Sequence, residues 1–212
     1  MTIPVEKKPA PTRRTNEARS EATRNALVEA VIGSLFDAGY ARTTMTAIGR
    51  RAGITTGAMQ HHFGSKDELI FAALDKLFNE IFEQLEEISP VADSLPLAEE
   101  CARVVEALWT TYYGHERYVA VVEIIVGSRS DKDLHERVIL HRQASLKTLE
   151  AGWFRIFDLK GEGASDTLQF ALSVLRGSAL SGYSEPSGDA VPRHIQLLGE
   201  ALARQIQSLK SA

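Results

Sequence analysis

Residues 53–69, which read GITTGAMQHHFGSKDEL, concentrate hydrogen-bonding side chains around a short apolar spine. Two histidines, a glutamine and two threonines could ligate a metal ion, assist a proton transfer or hydrogen-bond the polar groups of a partner. His61 and His62 are adjacent, so on a helix their side chains diverge by about 100°. No cysteine or nearby carboxylate completes a metal shell around them, and we therefore expect no metal at this position.

Patterns typical of catalysis are also missing elsewhere in the sequence. His135 and His141 are six residues apart, which puts them on different faces of a helix. There is no Gly-x-Ser-x-Gly turn, no phosphate-binding glycine loop and no paired-carboxylate arrangement. We therefore predict that the protein is not an enzyme and uses no cofactor.

The periodicity of apolar residues predicts the helices that position the quoted stretch. Apolar side chains recur every three or four residues over 16–38, which is typical of an amphipathic helix. Two shorter helices follow, at 45–52 and about 55–63, and Gly53 supplies the turn between them. A longer helix followed by two short ones with a glycine turn is the helix-turn-helix arrangement, whose second helix enters the major groove of DNA.

The remainder of the sequence also predicts helices. Ser65-x-x-Glu68 is a capping box, in which a serine hydroxyl and a glutamate carboxylate accept hydrogen bonds from amides at the start of a helix. This helix extends to the break at Pro90, and no alternating strand pattern follows it. The fold class is therefore all-α, with further helices expected at 96–113, 116–127, 132–158, 165–183 and 191–209.

The face of the second short helix can be tested on a helical wheel of about 100° per residue. With Met59 at zero, Phe63 lies at about 40°, so these two side chains form one apolar face. Gly57, Ala58 and His61 lie on the opposite side, at about 160°, 260° and 200°. Small residues permit close approach to base edges, and the side chains that can hydrogen-bond bases or phosphates there are Thr56, Gln60 and His61.

The distribution of charge agrees with a nucleic-acid partner. The net charge is −4, but residues 1–66 contain ten basic and five acidic residues, whereas residues 67–212 contain 14 basic and 23 acidic residues. A basic module of charge +5 is thus attached to an acidic body of charge −9. The single cysteine, Cys101, excludes an intrachain disulfide, and no apolar run approaches the length of a membrane span. We expect a soluble cytoplasmic protein without a membrane partner.

The stretch GYARTTMTAIGRRAGITTGAMQHHFGSKDEL, residues 39–69, resembles the TetR-type (tetracycline repressor family) transcriptional regulators. It is similar to the family's pattern of Gly-aromatic, Thr-x-x-x-Ile-Ala, Ala-Gly-Val-Ser, x-Gly-x-Leu, Tyr-x-x-Phe and x-Ser-Lys-x-x-Leu. Two residues depart from this pattern. Gly49 replaces an alanine, which should cost at most about 1 kcal/mol of helix propensity, and Gln60 replaces a tyrosine.

The resemblance implies a DNA contact surface residue by residue. The residues expected to face bases are Thr46, Thr56, Gly57, Ala58 and His61. The side chains expected to contact phosphates are Thr44, Gln60, His62 and Lys66. Because Lys66 and the neighbouring amides lie in the first turn of a helix, this position also suits a phosphate on electrostatic grounds.

These observations divide the chain into four parts. Residues 1–16 contain three prolines and several charges, which predicts a disordered basic arm. Residues 17–66 form the predicted three-helix DNA-binding domain, residues 67–90 the connecting helix, and residues 91–212 a helical effector-binding and dimerisation domain.

Aromatic residues in the acidic body predict either an ordinary core or a cavity for a small hydrophobic or aromatic effector. Both alternatives stay open, because aromatic side chains at helical spacing usually pack against each other. The residues expected to line such a cavity are Trp109, Tyr112, Tyr113, Tyr118, Glu123, His141, Phe170 and Arg176.

The last two helices are candidates for a dimer interface. A terminal apolar stripe and a patch of small residues could form half of a four-helix contact between two copies, as the resemblance also implies. The same stripe could instead cover the core of one chain. The candidate interface residues are Gly177, Ser181, Ile195, Leu198, Leu202 and Ile206.

The sequence thus predicts a homodimeric DNA-binding regulator, most simply a repressor that a small-molecule inducer releases from a palindromic operator. An alternative is a ligand-independent adaptor that is anchored to DNA and binds another protein through its helical body. A helical enzyme acting on a small molecule is a third alternative, which the missing catalytic pattern disfavours.

Overall fold

The computed structural model describes residues 13–88, 95–114, 116–184 and 190–211, and within these ranges the chain forms helices and no strands. The predicted all-α fold is therefore confirmed. The helices are α1 (Arg13–Ala38), α2 (Met45–Ala52), α3 (Thr56–His62), α4 (Lys66–Glu87), α5 (Leu97–Leu108), α6 (Glu116–Gly127), α7 (Lys132–Phe157), α8 (Glu162–Ser184) and α9 (Ala190–Ser211).

Most predicted boundaries agree with the structure to within about three residues. Helix α1 begins at Arg13, so residues 13–16 of the predicted disordered arm are helical. Residues 1–12 of that arm lie outside the described residues. One further difference concerns residues 109–113, which continue α5 as a single wider π-helical turn rather than as regular α-helix.

Polar side chains cap the N-termini of three helices in the N-terminal domain. The Thr44 and Thr55 hydroxyls accept hydrogen bonds from the first turns of α2 and α3, at 3.2 Å and 3.3 Å. Ser65 accepts one from the Glu68 amide at 3.2 Å, and the Glu68 carboxylate accepts one from the Gly64 amide at 2.8 Å. The predicted capping box is therefore present, although its glutamate binds the amide one residue before the cap.

The body is built around α4, which packs against both α1 and α7. Helix α1 also packs against α6, and α5 and α8 both pack against α9. Among the described residues, the buried apolar side chains form one hydrophobic core, which extends from the N-terminal domain through α4 into the body. No helix in the described ranges is both long enough and apolar enough to span a membrane.

Three residues of α9 that were predicted to form a dimer interface are buried within the chain itself. Leu198, Leu202 and Ile206 are at most 3% exposed in the single chain, so these side chains are not available to a partner. They are buried because α9 lies closely against α5: a Cβ added to Gly199 would be 2.9 Å from the Cα of Ala102. The stripe therefore covers the chain's own core.

The other predicted interface residues lie differently. Ile195 is half-buried and packs against the same core, whereas Gly177 and Ser181 are exposed on α8. Large apolar side chains are exposed near them on α8 and α9, including Phe170 and Leu197. An exposed apolar surface on these two helices thus exists, but it is formed largely by residues other than those predicted.

Candidate nucleic-acid interface and internal cavity

Helix α3 turns one face inward and one face to solvent. Met59 and Phe63 are buried, as the helical wheel predicts, and they attach the helix to the domain core. The opposite face is open: a Cβ added to Gly57 would meet no atom within 4 Å. All five residues predicted to face bases are exposed, namely Thr46, Thr56, Gly57, Ala58 and His61.

The turn before α3 depends on a close backbone contact at Gly49. Its carbonyl accepts a hydrogen bond of 2.9 Å from the Ile54 amide. A Cβ added to Gly49 would be only 2.9 Å from the Ile54 carbonyl oxygen, so a larger residue would require the turn to shift. The departure from the TetR-type pattern at this position therefore coincides with a tight approach between α2 and the turn.

The four predicted phosphate contacts have different surroundings. Thr44 and Gln60 are exposed, and Thr44 also caps α2. His62 is half-buried, with its ring edge-on to that of His61 at 5.8 Å. Lys66 differs from the prediction, because its ammonium donates a hydrogen bond of 3.1 Å to the Tyr40 carbonyl and lies 3.8 Å from the centre of the Tyr40 ring.

Burial lowers the pKa of Lys66, while the Coulombic attraction of Asp67 opposes that shift. A partly desolvated ammonium above an aromatic face is a cation–π contact, which stabilises the loop that it covers. In this structure Lys66 therefore contributes to the packing of Tyr40 rather than pointing outward to a phosphate.

Tyr40 connects the N-terminal domain to the body, and we call its contacts with Lys66, Glu123 and Gly127 the Tyr40 joint. Its amide donates a hydrogen bond of 2.9 Å to Oε2 of Glu123 on α6. Its ring lies against Gly127, where an added Cβ would be 2.1 Å from the ring carbon Cγ. The Gly-aromatic pair in the sequence indicated Tyr40, but Glu123 and Gly127 are far away in sequence and were not predicted to meet it.

Charged side chains join the same helices at a second place. Glu29 of α1 pairs with Lys76 of α4 at 3.3 Å, and Arg117 of α6 pairs with Glu80 of α4 at 3.2 Å. Glu29 and Arg117 also approach within 3.5 Å. Helices α1, α4 and α6 are therefore connected by ion pairs in addition to apolar packing.

A partly open cavity of about 330 Å³ lies in the body, among α4, the π-helical turn, α6, α7 and α8. This volume is at the lower end of the range of about 300–1,000 Å³ that is typical of ligand pockets. The apolar lining residues are Phe78, Ile81, Phe82, Val121, Ile125, Leu146 and Leu149. The polar lining residues are Tyr112, Tyr113, Tyr118, Arg142, Gln143, Ser145, Gln169 and Arg176.

Four predicted cavity residues are at the cavity wall: Tyr112, Tyr113, Tyr118 and Arg176. The three tyrosine rings contact one another, with ring centres 5.0–5.8 Å apart. The π-helical turn contributes Tyr112 and Tyr113 to this wall, and such turns are frequent at functional sites. Arg142 and Gln143 were missed, since neither forms a recognisable motif.

The structure places the other four predicted cavity residues elsewhere. Trp109 turns toward Gly114, where an added Cβ would be 2.5 Å from the indole nitrogen. Glu123 faces Tyr40, on the side of α6 away from the cavity, and Phe170 is exposed beside α9. His141 does not line the cavity itself. Its Nε2 is 2.7 Å from Asp75, and its ring stacks on Phe78, which does line the cavity.

The cavity wall is positively charged at neutral pH. Burial raises the pKa of Tyr112, Tyr113 and Tyr118, so all three hydroxyls keep their protons. For each of them the charges of Arg142 and Arg176 oppose this shift. The cavity therefore offers neutral hydroxyl groups beside two guanidinium groups.

No group of three or more histidine, cysteine, aspartate or glutamate side chains is placed to hold a metal ion within the described ranges. The structure therefore contains two candidate sites. One is the solvent-exposed face of α3 in the helix-turn-helix, and the other is the cavity of the body, to which the helix-turn-helix is joined through Tyr40.

Comparison with known proteins agrees with this geometry. Residues 27–73 match the family model described as bacterial regulatory proteins, tetR family. The HTH-type transcriptional regulator CymR of Pseudomonas putida is 25% identical over 179 residues, which is 81% of this chain and 84% of CymR.

Solved structures share the fold over nearly the whole chain. A transcriptional regulator from Rhodococcus sp. Rha1 superposes with a TM-score of 0.67 at 20% identity, covering 89% of this chain and 96% of that one. The transcriptional regulator FadR from Bacillus subtilis, in complex with stearoyl-CoA, superposes with a TM-score of 0.63 at 13% identity, covering 86% and 96%. The match of residues 27–73 to the tetR family model, together with the similarity to CymR, supports a DNA-binding transcriptional regulator of the TetR type, and the solved structures share the fold of the chain.

Proposed function

We propose that the protein is a homodimeric repressor that binds a palindromic operator through α3 and leaves it when a small molecule occupies the cavity. In this proposal residues 17–66 bind DNA, residues 67–90 connect the domains, and residues 91–212 dimerise and bind the effector. The cavity in the body favours this function over that of a ligand-independent adaptor, which would need no such space.

The observation that carries the proposal is that α4 and α6 each contact both the cavity and the Tyr40 joint. Helix α4 contributes Phe78 to the cavity wall and Lys66 to the joint. Helix α6 contributes Val121 to the wall and Glu123 to the joint. A ligand that spreads the wall must move one of these helices, and the joint transmits that movement to the DNA-binding domain.

The energetic requirement for this mechanism is modest. A ligand shifts the population toward the arrangement that it binds more tightly, and typical coupling energies of about 1–3 kcal/mol change operator affinity roughly 5-fold to 150-fold. A regulator of the same fold, FadR from Bacillus subtilis, has been solved in complex with stearoyl-CoA, which supports ligand binding here. Two-fold symmetry would set two α3 helices about 34 Å apart, one turn of DNA.

At the DNA surface we assign base contacts to Thr46, Thr56, Gly57, Ala58 and His61. Their shared exposure supports this assignment. We assign phosphate contacts to Thr44, Gln60 and His62. Lys66 could join them only by leaving Tyr40, and this exchange would itself alter the joint.

Selection of bound DNA from a randomised pool, followed by sequencing, tests the proposal. We would perform it at roughly physiological salt, so that sequence-independent attraction to phosphates is suppressed. Enrichment of a palindrome whose half-sites are about one helical turn apart is expected. Unenriched DNA, or half-sites without two-fold symmetry, would contradict the dimeric operator reading.

A further inference from the structure

We propose that the ligand of the cavity is a small organic monoanion, namely a carboxylate carried on an aromatic or short aliphatic body. This inference rests on the proposed function in taking the cavity as the effector site. It adds the chemical class of the effector, which the similarity to TetR-type regulators leaves open.

The charges on the cavity wall support an anionic ligand. Arg142 and Arg176 line the cavity, and among the described residues no aspartate or glutamate lines it with them. Neither guanidinium has a carboxylate within 4.0 Å among the described residues. By contrast, Arg51, Arg103 and Arg117 each have such a partner. Both arginines are half-buried, and a partly desolvated guanidinium is stabilised by a counter-charge, so two of them at one cavity wall favour an anion.

The two arginines approach the cavity from different helices, α7 and α8. Both act electrostatically on the hydroxyls of Tyr112, Tyr113 and Tyr118, so their charges converge on one region of the wall. A guanidinium can donate two parallel hydrogen bonds to a carboxylate, and neighbouring tyrosine hydroxyls can donate more.

The apolar part of the cavity wall selects the rest of the molecule. Side chains of α4 and α6, among them Phe78, Phe82 and Ile125, form an apolar surface without charge. With a volume of about 330 Å³, the cavity suits a single aromatic ring or a short chain rather than a whole acyl-CoA. Size and polarity together indicate a ligand with one charged end and one apolar end.

The test is calorimetric titration of the intact protein with acids and their neutral amides in pairs. We would use benzoate with benzamide, phenylacetate with phenylacetamide, and hexanoate, octanoate and decanoate with the corresponding primary amides, and would include stearoyl-CoA. At least one acid should bind, and its amide should bind roughly 10-fold to 150-fold more weakly, as expected for loss of hydrogen bonds to a charged group.

Variants locate the binding site. Arg142→Gln and Arg176→Gln should each weaken binding of the best acid at least about tenfold while changing binding of its amide little. Arg176→Lys should recover part of the loss, because it restores the charge but not the paired geometry. Arg129→Gln, at an exposed position outside the cavity, is the matched control and should change nothing. Thermal unfolding of each variant identifies any that fail to fold.

The inference is overturned if no acid in the panel binds, if the amides bind as tightly as the acids, if stearoyl-CoA is preferred, or if the folded arginine variants retain full affinity. Titration of the selected operator, with and without the acid, separates this result from the proposed function. An acid that binds in the cavity but leaves operator affinity unchanged supports the ligand class and contradicts the induction mechanism. Loss of operator binding by an amide alone would support induction and overturn the ligand class.

Discussion

The backbone amide of Tyr40 and the carboxylate of Glu123 join the DNA-binding domain to the body through a hydrogen bond of 2.9 Å. Tyr40 precedes α2 by a few residues, and Glu123 lies in the middle of α6. Because α6 also lines the cavity, this bond lies directly between the two sites that the proposed mechanism couples.

Replacing Glu123 with alanine should therefore weaken the connection between the domains. We expect the free energy of unfolding to fall by about 1–2 kcal/mol, since a half-buried amide loses a charged acceptor. Urea denaturation measures this change, and Glu116→Ala, an exposed acidic position on the same helix, is the control. Equal stability of the two variants would show that the hydrogen bond contributes little.

Gly127 should not tolerate a side chain. A Cβ at this position would be 2.1 Å from the Tyr40 ring, so Gly127→Ala must displace the ring, at a cost of about 1–3 kcal/mol. Gly177→Ala is the control: its Cβ would meet no atom within 4 Å, and the substitution should be neutral or stabilising by up to about 1 kcal/mol. Combining Gly127→Ala with Tyr40→Ala should recover part of the loss, and strict additivity in this cycle would contradict a direct contact.

His61 should determine base preference without affecting stability. Its side chain is exposed on α3, and the described contact of its ring is with His62. We expect His61→Ala to lower discrimination at one base pair by about 1–3 kcal/mol in binding assays on single-base operator variants. His194→Ala, an exposed histidine on α9, should leave the same profile unchanged. A uniform loss across all operator variants would instead indicate that His61 contacts the backbone of DNA.

The exposed apolar surface of α8 and α9 should mediate dimerisation. Leu197 is 51% exposed there, and a charge in an apolar interface between two copies would be desolvated without a partner. Leu197→Glu should therefore give monomers in sedimentation experiments at concentrations where the unmodified protein is dimeric. Leu140→Glu, at a position 57% exposed on α7, is the matched control. Persistence of the dimer in the first variant, or its loss in the second, would move the interface to another surface.

Cys101 should make stability depend on alkaline pH. Burial raises the pKa of this thiol from 9.0 to about 12, with a smaller contribution from Glu100. Between these values the unfolded chain loses a proton that the folded chain keeps, so stability falls as pH rises. For this group the slope is about 1.4 kcal/mol per pH unit. Urea denaturation between pH 8 and 11 should show a shallower slope for Cys101→Ala, and identical slopes would contradict the shift.

Local patterns were sufficient to predict the helices and the solvent-exposed face of α3. Threonine and serine caps and the glycine turn act over three or four residues, so the sequence contains all of the information that they need. The outward position of His61 follows in the same way, because the burial of Met59 and Phe63 determines the rotation of a short helix. For this part of the chain the sequence alone determined the shape of the candidate site.

Contacts between segments that are distant in sequence could be identified only from the tertiary structure. The cavity wall combines Arg142 with Tyr112, and the Tyr40 joint combines residues more than 80 positions apart, at distances that no local pattern encodes. Leu202 shows the same limit: periodicity indicated that it faces an apolar surface, but not whether that surface belongs to a partner or to α5. The hydrophobic effect favours burial of Leu202 against a partner as much as against α5. Only the packing of the folded chain therefore decided between these two surfaces.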